Sequence, residues 1–162
     1  MFEIDKTKCC CFTGHRPGKL HGTEASIRKQ LRKEIYKAIE EGYNTFISGM
    51  QAGVDVWAAL EVIGFKERNP DIKLVCAIPF KDFGAKGKGE DFKKLLKRIM
   101  SKADYIHTVT QEFSPRSYIL RDDWMVDHSS RIIAVFNGSE GGTAYTLRKA
   151  QAQGLKVVII KD

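Results

Sequence analysis

The sequence predicts one α/β domain over residues 1–162, a three-layer αβα sandwich on a mainly parallel sheet. Three observations lead there. Short apolar runs alternate with helical patterns along the whole chain. The runs are continuously apolar, as strands covered on both faces are. No linker, internal repeat or low-complexity segment breaks the alternation, and the length suits a single domain.

The elements follow in order. "CCCFTG" (9–14) reads as a buried strand. Ile27, Leu31, Ile35 and Ile39 recur every four residues, giving a helix with one buried stripe, N-capped by Thr23 and stopped at Gly42. "TFISG" (45–49) is a second strand, and "GVDVWAALEVIGFKERN" (53–69) a second helix closed by Pro70. "IKLVCAIPF" (72–80) is a third strand. "KDFGAKGKGED" (81–91) reads as a mobile basic loop before the helical "DFKKLLKRIMSKA" (91–103). "DYIHTVT" (104–110) is a fourth strand. Ser114-Pro115 is expected to cap the next helix, with proline at its first position, running through "RSYILRDDWMVDHS" (116–129). "RIIAVFN" (131–137) is a fifth strand, "GGTAYTLRKAQAQG" (141–154) a helix entered through glycines, and "KVVII" (156–160) a sixth strand. This order makes the sandwich Rossmann-like.

Composition narrows the class. No run approaches the roughly 20 apolar residues of a membrane helix. "MFEIDKTK" has no signal-peptide pattern, so a cytoplasmic location is the default expectation. Cys9, Cys10 and Cys11 are adjacent and Cys76 stands alone. Strand neighbours point to opposite faces and there is no CxxC spacing, so these read as reduced, packed thiols, with a redox role as the alternative. The net charge of +7 favours anionic partners such as nucleotides, phosphates or nucleic acid, but as a weak pointer, since lysine-rich solvated faces account for it more simply.

In such a sheet, ligands bind beyond the carboxyl ends of the strands. Those ends carry Thr13-Gly14-His15-Arg16-Pro17, Ser48-Gly49-Met50-Gln51-Ala52-Gly53, Pro79-Phe80, Thr108 and Thr110, and Asn137-Gly138 followed by Gly141-Gly142-Thr143. Glycine lets backbone approach an anion, and a helix N-terminus offers free N–H groups with a positive dipole end. Gly141-Gly142-Thr143 opens one helix and Ser48-Gly49 with Gly53 another; Arg16 adds a forked cation. The pattern points to an anion or nucleotide crevice. His15 reads as a hydrogen-bonding orienter, with acid–base work as the alternative, because no carboxylate is visibly paired with it. Asp55 either complements its helix dipole or contacts a ribose. Arg121, Asp122, Asp123 and Asp127 share the fourth helix with Trp124 and Met125. Asp123 and Asp127 lie on one face, and without a third suitably spaced ligand they read as solvated surface rather than a metal site. Trp57 and Trp124 read as core or pocket wall.

"CCFTGHRP", "ISGMQAGVDVWAA", "IPF", "RDDWMVDHSSRIIAVFNG" and "GGTAYTLRKA" resemble, in the same order, the YpsA/YspA-like family of the SLOG superfamily, from about residue 8 to residue 160. That superfamily includes phosphoribohydrolases acting on nucleoside monophosphates and the DNA-processing protein A family, which binds single-stranded DNA. The resemblance implies binding of a nucleotide or nucleotide-derived ligand, in a sensor-type role. It implies ligand-facing Thr13, Gly14, His15, Arg16, Ser48, Gly49, Gly53, Asp55, Arg121, Asp127, Asn137, Gly142 and Thr143. Departures exist. The family commonly has glutamate where Leu60 stands; Glu61 is one residue, about 100 degrees, further round the helix. Asp122 stands where asparagine is frequent, replacing a donor-acceptor by an acceptor alone. The loop from Lys81 to Gly89 is rich in lysine and glycine and lacks a tryptophan.

Three functions compete. The first is a binding or sensor module for a small phosphorylated or nucleotide-derived ligand, with Arg16 and Arg121 neutralising charge. The second is N-glycosidic hydrolysis of nucleoside monophosphates, weakened because Ala144-Tyr145-Thr146 supplies no acid after the glycines; Asp55 or Asp127 would have to substitute. The third is single-stranded nucleic-acid binding through Lys81, Lys86, Lys88, Lys93, Lys94, Lys97 and Arg98, with an exposed Phe83 for stacking. No cofactor beyond a nucleotide-like ligand is assigned, and no metal. The apolar helices leave room for a homo-oligomer that nothing specifies.

Overall fold

The computed structural model describes residues 2–85 and 89–162. The chain runs β1 (Cys9–Gly14), α1 (Glu24–Glu40), β2 (Thr45–Ser48), α2 (Val54–Arg68), β3 (Lys73–Phe80), α3 (Glu90–Ser101), β4 (Tyr105–Thr110), α4 (Ser117–Asp127), β5 (Arg131–Phe136), α5 (Gly142–Ala152) and β6 (Lys156–Lys161). The strands form one sheet in the order β4-β3-β2-β1-β5-β6, and every neighbouring pair is parallel. This is the Rossmann-like α/β sandwich that the alternation predicts. Parallel crossovers are right-handed, so helices on connections running in opposite directions along a sheet cover opposite faces. Accordingly α1, α2 and α3 bury one core with Phe12, Phe46, Leu74 and Ile133, while α4 and α5 bury the other with Ile47, Val75, Ile132 and Ala134.

Local chemistry accounts for the boundaries. Thr23 Oγ1 accepts the Ser26 N–H (3.1 Å), which starts α1. Ile27, Leu31 and Ile35 are buried, with Ala38 completing the stripe and Ile39 half-buried beside it. Gly42 follows at φ 98°, a left-handed turn that side chains resist, and its N–H reaches the Ile39 carbonyl (3.0 Å). The cysteine run divides between the layers, Cys10 facing one core and Cys9 and Cys11 the other. All the cysteines are free and buried.

Three expectations shift. The helix after β4 begins at Ser117, two residues later than Pro115. Ser114 and Pro115 belong to the preceding turn, in which Ser117 Oγ accepts the Ser114 N–H (3.0 Å) and Ser114 Oγ accepts the Arg116 N–H (3.2 Å). Phe83 is buried, not exposed, because its ring packs edge-on against Phe80 and Tyr118. Of the expected loop at 81–91, residues 81–85 form turns; Lys86 and Lys88 lie outside the described residues. Trp57 packs against the α1–α3 core, and Trp124 lies between the His107 and His128 rings at 4.1 and 4.3 Å. No helix among the described residues is long and apolar enough to cross a membrane.

Glu61 has a structural task away from the strand ends. Its carboxylate, 6% exposed, takes Arg28 Nε (2.7 Å) and Arg32 Nε (2.6 Å), clamping α2 to α1. Burial pushes this carboxyl up, but the Arg32 and Arg28 hydrogen bonds together outweigh it and hold it below the ordinary 4.5. A lowered folded-state value means stability present above 4.5 and lost as pH falls through the lowered value. Glu61→Gln is therefore expected to be less stable at neutral pH and to lose less on acidification than the native chain. Urea unfolding at a series of pH values measures this; parallel pH profiles for the two proteins would contradict the clamp.

Candidate functional site

Strand order reverses at β1. The chain builds β2, β3 and β4 to one side of it, then crosses over to place β5 and β6 on the other. Helices leave such neighbours in opposite directions, which opens a crevice at the carboxyl ends of the two strands. A cleft of about 340 Å³ lies there. The end of β1 contributes Phe12, Thr13, Gly14, His15 and Arg16, and the turn behind it Lys19. Gln51 comes from the turn between β2 and α2, Asp55 from the first turn of α2, Tyr118, Arg121 and Asp122 from α4, and Gly141, Gly142 and Thr143 from the start of α5.

The turn after β1 is anchored at several points. Pro17 seats on Gly53, where a Cβ would lie 2.9 Å from the proline Cδ. Pro17–Lys19 forms a 3-10 turn, and the Lys19 carbonyl accepts from Asn137 Nδ2 (3.3 Å). Asp162 accepts the N–H groups of His21 and Gly22 at 2.9 Å each, fixing the far side of the loop. His15 stacks on Phe136, and its Nε2 accepts the Asn137 N–H (3.4 Å), so the proton of the neutral ring sits on Nδ1. Burial, and next the Lys19 ammonium, hold this histidine below its ordinary value.

These anchors bring a cation to a helix start. Lys19 Nζ lies 3.8 Å from where a Cβ on Gly141 would sit. The first bond of α5 is Tyr145 N–H to the Gly141 carbonyl (3.0 Å), leaving the N–H groups of Gly142, Thr143 and Ala144 ahead of the helical ladder. A cation held at the positive end of a helix dipole is repelled by it unless an anion comes between. At Gly142 an added Cβ would meet nothing within 4 Å, so this rim is open space.

The floor is a charge cluster around Arg121, which is 5% exposed. Its Nε donates to Asp122 Oδ1 (2.7 Å) and its Nη1 to the Gly49 carbonyl. Asp55 is buried beside it and accepts the Gln51 N–H at Oδ2 (3.3 Å). Burial pushes the Asp55 carboxyl up to about 6; Arg121 offsets part of that rise and the Asp122 charge adds to it. A second, more apolar cleft of about 380 Å³ adjoins, lined by Phe80, Phe83, Phe113 and Tyr118, with Tyr118 as the shared wall.

The structure brings Thr13, Gly14, His15, Arg16, Asp55, Arg121, Gly142 and Thr143 to the cleft. Others expected there do different work. Gly14, although it lines the cleft, also makes room for helix packing, since a Cβ on it would lie 2.5 Å from the Val54 side chain. Gly49 sits under the floor, where a Cβ would be 2.8 Å from Asp55 Oδ2. Gly53, at φ 95°, is covered by Pro17, so the start of α2 is closed where that of α5 is open. Ser48 is fully buried; its Oγ donates to the Asp55 carbonyl (2.8 Å) and accepts the Met50 N–H (3.1 Å). Asn137 shapes the neighbouring loop. Asp127 lies at the last turn of α4, exposed, bonded to Gln153 Nε2 (2.9 Å) and near Lys149 Nζ (3.6 Å). Lys19, Gln51 and Tyr118 line the cleft without having been singled out. The lysine's place three residues beyond Arg16, across a Pro-Gly turn, was the readable signal for the first of them.

The family model described as YspA SLOG family (YpsA) matches residues 10–158. The chain belongs to that family. Curated relatives of this YpsA-family chain include UPF0398 proteins of Bacillus thuringiensis (strain Al Hakam) and Bacillus cereus (strain AH187). Each is 28% identical over 156 residues, covering 91% of this chain and 84% of the relative. Among solved structures, the fold is similar to DNA processing protein A (DprA) from Streptococcus pneumoniae, with a TM-score of 0.66 and 16% identity. That match covers 95% of this chain and 50% of DprA, so the chain spans half of that protein's length. The structural-genomics target TM1055 has a TM-score of 0.58 at 15% identity, covering 93% of this chain and 72% of its own.

Asp55 supplies a pH test of the floor. A carboxyl raised in the folded state favours the protonated form, so its contribution to stability falls as pH rises from 3.8, the ordinary value, through about 6. Asp55→Asn is expected to lose this downward slope and to be at least as stable as the native chain above that window. Thermal unfolding across the range checks it; an unchanged slope would place the titrating group elsewhere.

Proposed function

We propose that this protein binds a small phosphorylated, nucleotide-like ligand in the cleft between β1 and β5. The observation that carries the reading is the Lys19 ammonium held over the open N-terminus of α5. Three N–H groups and a cation converging on one rim suit a phosphate, and Arg16, exposed on the same rim, adds a second cation. The aromatic cleft beyond Tyr118 has room for a flat ring. Membership of the SLOG family, and the position of the cleft at the strand-order reversal, support the same reading.

N-glycosidic hydrolysis is the second reading, favoured by one observation: Asp55 is a buried carboxyl in the cleft, raised to about 6 and thus close to general-acid range. Release of free base from nucleoside monophosphates, abolished in Asp55→Asn, would establish it. Single-stranded nucleic-acid binding has Lys94, Lys97 and Arg98 exposed along α3, but Phe83 is buried instead of offered for stacking.

The binding reading has a two-variant test. Lys19 is exposed, so Lys19→Ala is expected to leave stability unchanged while weakening binding of inorganic phosphate or a nucleoside monophosphate about tenfold. Gly142→Asp places a carboxylate in open space at the helix start, where the dipole favours it. That variant is expected to fold at least as stably as the native chain and to lose anion binding altogether. Isothermal titration with thermal shift reads both; full phosphate and nucleotide binding by Gly142→Asp would remove the site from α5.

A further inference from the structure

Gln51 is 9% exposed and lines the cleft, yet neither its Nε2 nor its Oε1 has a hydrogen-bond partner. Buried polar groups left unpaired are rare, because water lost on burial is normally replaced by a protein partner. The backbone that presents this side chain is also unusual. Met50 has a φ of 62°, the left-handed region that a side chain disfavours and that concentrates at binding sites. Ser48 holds it there, accepting the Met50 N–H and donating to the Asp55 carbonyl. The Gln51 N–H is satisfied by Asp55 Oδ2, so only the carboxamide is left for something else. A strained, internally braced turn therefore carries an unspent donor-acceptor pair on a residue that lines the cavity and is tied through its backbone to Asp55.

We propose that Gln51 and Asp55 form a subsite for the vicinal hydroxyls of a ribose, which rests on the phosphate-binding reading above. A carboxamide offers one donor and one acceptor, and an ionised carboxylate offers acceptors only. The complementary group must donate at two adjacent atoms and accept at one of them. Vicinal hydroxyls do this, since each both donates and accepts. A base edge that offers two adjacent N–H donors is told apart by the test, because loss of the 2′-hydroxyl leaves a base contact untouched. The placement agrees: in a nucleotide the sugar separates phosphate from base, and this cleft runs from the start of α5 to Tyr118, the wall of the aromatic cleft.

The test compares AMP and UMP with their 2′-deoxy forms and with inorganic phosphate, by calorimetry on the full chain. The native protein is expected to bind each ribonucleotide about tenfold more tightly than its deoxy form, whatever the base. Gln51→Leu, which leaves Asp55 in place, is expected to shrink that preference with phosphate affinity unchanged. It is also expected to raise the unfolding temperature of the ligand-free protein, because an unpaired buried amide is replaced by an apolar group of similar size. A lowered unfolding temperature would show that the amide already has a structural partner and would overturn the proposal. So would equal affinity for ribo and deoxy forms in the native chain, or a preference undiminished in Gln51→Leu. In either of those cases retained phosphate binding leaves the anion site standing; absence of binding by phosphate and all nucleotides removes both readings.

Discussion

A single guanidinium makes two carboxylates compatible in one cavity. Asp55 from α2 and Asp122 from α4 approach from opposite faces of the sheet, and Arg121 lies with both. Its bond to the Gly49 carbonyl ties α4 across the end of β2. Were that cation absent, two acids would share a poorly hydrated pocket, and one of them would have to hold a proton. Arg121 thus sets the charge of the floor. Gly49 is part of the same constraint, because any side chain there would occupy the place of the Asp55 carboxylate and the guanidinium.

The rim obeys a different logic from the floor. It is made of backbone and of cations on a turn, and its shape depends on tethers that lie outside the cleft. Pro17 rests on Gly53, Asn137 holds the Lys19 carbonyl, and Asp162 grips His21 and Gly22. Burial pushes the Asp162 carboxyl up, but the His21 and Gly22 N–H bonds outweigh it and hold it low. The turn is thus fixed by groups from the start of α2 and the ends of β5 and β6 at once, which allows an exposed lysine to stay close to a helix start. Floor and rim together present charge of both signs at short range, an arrangement suited to a ligand carrying both an anion and hydroxyls.

Much of the architecture was legible because strands and helices announce themselves through periodicity. The six runs around Cys10, Phe46, Val75, Ile106, Ile132 and Val158 became the strands in parallel register, and the polar tips of β1 and α5 met at the reversal of strand order. Less legible were the reasons for individual glycines. Gly14, Gly49 and Gly53 look alike in sequence to Gly142, yet the first three accommodate Val54, Arg121 with Asp55, and Pro17. Only tertiary contact separates a packing glycine from one facing open space. Spacing put Asp123 and Asp127 on one face correctly, since Lys149 reaches both, but that face meets α5 instead of the cleft. Gln51 was unreadable for a deeper reason: an orphaned amide is defined by what fails to surround it, and composition carries no trace of that. The exposed-phenylalanine expectation failed similarly, since Phe80, three residues before Phe83, supplied a ring to pack on.

The cysteine run of β1 divides between the two cores, Cys9 and Cys11 under α4 and α5, Cys10 with Cys76 under α1–α3. Burial pushes the Cys9 and Cys76 thiols up to about 12 and raises Cys10 and Cys11 as well, so none is a reactive thiolate at neutral pH while the helices stay in place. The molecule is therefore built with its own layer-specific probes. Alkylation at the first pair records the departure of one helical layer, and at the second pair that of the other. Peptide mapping after a timed pulse of reagent would tell a sandwich that peels from one side from one that melts at once, with no foreign label introduced.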